Sequence, residues 1–95
     1  MSIAKRLDSE AATQLLEICQ AIAARQLSLA QWAAIESSDE FQSGRLVGGF
    51  EATEGAFTFS YLEAGGAEWW FNLTLEHALA VASGESVNVE LREPQ

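Results

Sequence analysis

Ala67-Glu68-Trp69-Trp70-Phe71-Asn72-Leu73-Thr74-Leu75 holds two of the chain's three tryptophans and runs straight into a helix signal. In a half-buried strand, successive side chains point to opposite faces. Trp69, Phe71 and Leu73 then share one face, while Glu68, Trp70 and Asn72 share the other. Trp69 is expected to belong to a core with Phe71 and Leu73. Trp70 falls among polar neighbours, and its environment decides whether one face of the sheet is packed or both.

On the N-terminal side, Ala56 to Leu62 carries the clearest alternation in the chain, Phe57, Phe59 and Tyr61 against Thr58 and Ser60. Glu63-Ala64-Gly65-Gly66 closes a hairpin between this strand and the tryptophan stretch, its glycines being available for positive φ. Leu46 to Glu51 reads as a further strand, joined through the turn Ala52-Thr53-Glu54-Gly55. Gly48 and Gly49 lie inside it, which suggests a bulge or a large side chain crossing close to the backbone, with the tryptophans as candidates for that side chain.

On the C-terminal side, Thr74 is a plausible cap for a helix from Leu75 to Ser83, with the stripe Leu75, Ala78, Leu79, Ala82 and with Gly84 at its end. Ser86 to Arg92 alternates Val87, Val89 and Leu91 with Asn88, Glu90 and Arg92 and reads as a last strand ended by Pro94. A helical connection lets it lie parallel to the strand before the helix, or beside the first strand.

The first third of the chain has the helical period. Ile3, Leu7, Ala11, Leu15, Ile18, Cys19 and Ile22 form an apolar stripe, starting either at Ser2 or, in a shorter version, at Asp8 or Ser9. Ser28 caps a second, shorter helix anchored by Trp32. Glu36 to Gly44 reads as a helix end plus loop linking helices to sheet, either without further structure or with one extra helical turn beginning at Ser38. The expected fold is therefore one α+β domain over residues 1–95: two N-terminal helices, a three-stranded antiparallel meander, one helix and a fourth strand in a single sheet (ααβββαβ). Ninety-five residues suffice for one ordinary core and are too few for two.

Composition narrows the chemistry. The formal net charge is -9, and from Leu46 onward eight glutamates face a single basic residue, Arg92. Such a field repels nucleic acid and anionic membrane and steers basic partners inward. Cys19 is the only cysteine and His77 the only histidine, so internal disulfides, Cys/His metal sets and motif-supported triads are not expected. Cys19 falls in the apolar stripe and is expected to be inert core, and His77 an exposed helix residue. Neither glycine pair is followed by the Lys-Ser or Lys-Thr of a phosphate loop. No cofactor, metal or catalytic residue is assigned, and an enzyme is not expected. No apolar run has signal-peptide or membrane-spanning length, so a cytoplasmic location is expected.

What remains is the outward face of the sheet. An exposed Trp70 with Leu62, Glu68, Glu90 and Glu51 about it would have the makeup of a binding hot spot, an aromatic anchor with a charged rim. The first expectation is a small acidic inhibitor or immunity-type protein docking on a basic partner, such as a nuclease toxin or another nucleic-acid-binding protein. The small size, acidity and α+β order are similar to those of many bacterial immunity proteins, a similarity of composition and not of motif. The alternative is a homo-oligomeric structural or chaperone-like adaptor, such as a homodimer, that uses the Trp70 face as self-interface.

Overall fold

A computed structural model describes residues 7–35, 41–85 and 88–94. Helix α1 (Ser9–Ala24) begins at Asp8, whose carboxylate accepts the Ala11 amide at 2.8 Å and satisfies one of the donors that a helix start leaves open. Of the two starts considered, the shorter one is therefore seen; Ser2 lies outside the described residues. The stripe Ala11, Leu15, Ile18, Cys19 and Ile22 is buried. Gln26 ends this helix region with φ +54°, the left-handed conformation usual after a helix C-terminus, here taken by a residue other than glycine. Helix α2 (Leu29–Ala34) starts with a capping box in which Ser28 and Gln31 bond reciprocally, and it buries Trp32.

The sheet is an antiparallel meander in the order β1-β2-β3-β4: β1 (Phe41–Ser43), β2 (Leu46–Glu51), β3 (Ala56–Leu62) and β4 (Glu68–Leu73). Helix α3 (Leu75–Ala82) follows, with Thr74 as its cap and Gly84 at φ +101° beyond its end. The α+β order read from the sequence, helices, then an antiparallel sheet, then a further helix, is the observed one.

Two details differ. Phe41-Gln42-Ser43, read as part of a loop, pairs with Leu46-Val47-Gly48 across a two-residue turn, Gly44-Arg45, and supplies the fourth strand. The C-terminal segment, read as that strand, makes one bridge, Trp70 to Arg92, and this bridge is antiparallel to β4. It lies neither parallel to β4 nor beside β2. Val87 falls outside the described residues, while Val89 and Leu91 are partly buried against the core, the side expected for them.

One hydrophobic cluster joins the helical stripe to the face carrying Leu46, Phe50, Phe57, Phe59, Tyr61, Phe71 and Leu73. Trp32 sits at its centre, edge-on to Phe57 at 5.2 Å and near Phe50 at 6.0 Å, and Phe59 stacks on Phe71 at 5.4 Å. Aromatic pairs at such separations add to the gain from burial alone. Helix α1 packs on α3 and on β1 and β2, and α2 packs on β2, all on this one side. The other side of the sheet carries no helix among the described residues.

Gly48 is on the packed side. A Cβ there would collide with the Thr58 carbonyl and lie 2.6 Å from Phe59 Cδ1. The crossing side chain is therefore Phe59, its cross-strand partner, and not a tryptophan.

Candidate binding face

The outward side is set by the pairing register. Gln42, Val47, Ser60, Trp70 and Arg92 form one row across the whole sheet, each directly opposite the next. The neighbouring row runs Gly49, Thr58, Asn72. Paired residues share a face, so alternation fixes which side chains point away from the helices.

Within this face Trp70 is half-buried and held in place. Its Nε1–H donates to Glu68 Oε2 at 2.8 Å, and the same oxygen accepts the Ser60 hydroxyl at 3.0 Å. The carboxylate is thus oriented by two donors, and the indole by a charge-assisted bond of the stronger kind. Next to it, Asn72 Nδ2 donates to Thr58 Oγ1 at 3.1 Å. Leu62 is directly opposite Glu68 and 49% exposed. Glu90 and Arg92 lie on the C-terminal segment and, with Asn72, line a hollow of about 280 Å³.

Four of the five expected contact residues, Trp70, Glu68, Leu62 and Glu90, thus fall in one region. Glu51 does not. It is exposed on the same side but opposite Ala56, roughly 15 Å from Trp70, given the rise along β3 and two strand spacings. Trp70 is not laid over glycine either, because Gly48 faces the helices and β3 separates Gly49 from β4. Trp69 faces the core as expected but is half-buried, packed against the cluster without being enclosed by it, because β4 lies at the sheet's edge.

The remaining reactive groups stand apart from this face. Cys19 is fully buried, and burial pushes its thiol up to about 12, far from the thiolate needed for nucleophilic or redox chemistry. His77 is exposed in the first turn of α3. Among the described residues no group of three or more His, Cys, Asp or Glu side chains could hold a metal ion.

A polar cluster absent from the sequence reading fixes α1 to the sheet. Arg45 Nη2 donates to both Asp8 carboxylate oxygens at 3.2 and 2.9 Å, the Tyr61 hydroxyl donates to Asp8 Oδ2 at 3.1 Å, and the Arg45 amide donates to Gln14 Oε1 at 3.1 Å. The Ala11 amide and then Arg45 hold the Asp8 carboxyl below its usual 3.8. Asp8 as a helix cap is the one local trace of this cluster in the sequence.

Comparison with known proteins yields no relative. No family model matches the chain, and no curated protein or solved structure matches it.

Proposed function

We propose that the chain is a small, non-catalytic acidic binding protein of the inhibitor or immunity type, which docks the outward face of its sheet on a basic protein. The observation that carries this reading is the Trp70–Glu68–Ser60 arrangement, a hydrogen-bonded aromatic on the side of the sheet that bears no helix among the described residues. An oriented indole has little freedom left to lose on binding, and such rings are favoured anchors. Leu62 and Glu68 extend the contact, and Glu90 lies at its rim. Glu51, farther off, contributes to steering by long-range charge. The partner is a basic toxin or nucleic-acid-binding protein, and the encounter takes place in the cytoplasm. No described helix is long and apolar enough to cross a membrane. A twofold self-contact would bring together two faces that each carry Glu68 and Glu90 against one cation, Arg92, among the described residues, a like-charge approach that disfavours the homo-oligomeric alternative.

The test is capture of partners from the native host at low salt, followed by titration of the purified complex. A basic partner is expected. Its affinity should fall as salt rises, and Trp70→Ala should weaken binding by about 2 kcal/mol. A neutral or acidic partner, or affinity indifferent to both salt and Trp70, overturns the proposal.

A further inference from the structure

Beyond Trp70 the sheet has a free edge, and the chain's own C-terminal segment only touches it. The Trp70 amide donates to the Arg92 carbonyl at 2.8 Å, and the Arg92 amide donates to the Trp70 carbonyl at 2.8 Å. Because Trp70 directs both backbone groups away from β3, Glu68 and Asn72, two residues to either side, direct theirs to the same edge. Continuing the Trp70–Arg92 register would set Glu90 against Asn72 and Pro94 against Glu68. Neither pair forms among the described residues. Pro94 has no amide hydrogen to give, and beside Asn72 lies the 280 Å³ hollow that it lines with Glu90 and Arg92. Among the described residues the segment makes one pair of backbone hydrogen bonds to β4, and Val89 and Leu91 rest on the core, although its alternating residues suit a full strand.

What the segment carries is equally specific. Arg92 is the only basic residue after Arg45, and the bridge places it directly opposite Trp70 on the outward face, next but one to Glu68. An extended backbone bearing an arginine already lies where the proposed partner would bind.

Resting on the docking role argued above, we infer that the edge of β4 is a strand-addition site for an extended basic segment of the partner, and that residues 88–94 hold it as an internal stand-in. The partner strand replaces the single bridge with a ladder along Glu68, Trp70 and Asn72. It sets an arginine or lysine against Trp70 and Glu68 in place of Arg92. Backbone pairing supplies affinity and the cation supplies selectivity, the usual division of labour in strand addition.

The probe is a capped peptide of alternating valine and arginine, titrated into the full chain, into Arg92→Pro and into a chain ending at Glu85. Arg92→Pro removes the donating amide and the competing cation while keeping the rest of the segment, and it decides the matter should the shortened chain fail to fold. Both opened forms should bind the peptide at least about tenfold tighter than the full chain. Adding Trp70→Ala should abolish that gain, and a control peptide with proline at its centre should not bind. Equal affinity for closed and opened forms, or equal binding of the proline peptide, overturns strand exchange. If binding then still depends on Trp70 and salt, the docking face survives without the edge, whereas independence from Trp70 removes both.

Discussion

The three tryptophans occupy three environments, and substitution should separate them. Trp32 is 1% exposed and touches Phe41, Phe50 and Phe57, so Trp32→Ala should cost about 3–5 kcal/mol in denaturant unfolding. Trp69→Ala should cost less, because a half-buried ring leaves a smaller void. Trp70→Ala should cost least, because its half-buried ring lies on the outward face, away from the core cluster, and gives up one hydrogen bond. A reversed order would mean that the outward face is covered. Cys19 allows a second check. With its thiol enclosed and pushed up to about 12, it should resist aromatic disulfide reagents at pH 8 in the folded protein and react once denaturant is added. Prompt labelling without denaturant would contradict its placement in α1.

At the level of elements, α1 is held at its start by Asp8, which caps the helix and also receives Arg45 and Tyr61 from the sheet. The Asp8 carboxyl is held below its ordinary value in the folded chain, so its contribution is present above about pH 3.8 and is lost as pH falls through the lower folded value. Asp8→Asn should therefore lower Tm at pH 6, and the gap to the unaltered protein should close in strong acid. A gap that stays constant with pH would mean that the charge of Asp8 contributes nothing to its contacts with the Ala11 amide and Arg45. The same elements show what the sequence could reveal. Strands β2 and β3 were legible to the residue because one face of each is core, which imposes a period of two. Strand β1 was not, since three residues with one half-buried aromatic carry too little pattern, and its pairing follows from the Gly44-Arg45 turn. The Arg45–Asp8 contact joins residues 37 apart and leaves no local trace. The C-terminal segment alternates like a strand but makes one bridge, because the ladder fails at Pro94 and beside Asn72.

Over the whole molecule, a net charge of -9 acts on stability as well as on partners. Like charges repel more in the compact state, so added sodium chloride should raise Tm over the range in which the screening length shrinks below the size of the domain. A Tm that falls steadily over that range would mean that the Arg45 ion pairs outweigh the self-repulsion. The outward face was legible as a list of residues and not as a place. Alternation could sort Trp70, Glu68 and Leu62 to one side, but only the register shows that Glu51 stands apart from them.

The packing of α1 on α3 has a kinetic consequence. Every strand pairs with its neighbour in sequence, so the meander assembles through short hairpins, whereas α1 must find a helix that begins about fifty residues after it ends. Contacts between distant segments pay for loop closure before they return anything, which places this docking late in folding. Trimming Ile18 to valine in α1 should chiefly hasten unfolding, while trimming Phe59 to leucine in β3 should chiefly slow refolding, two effects that the limbs of a chevron plot separate.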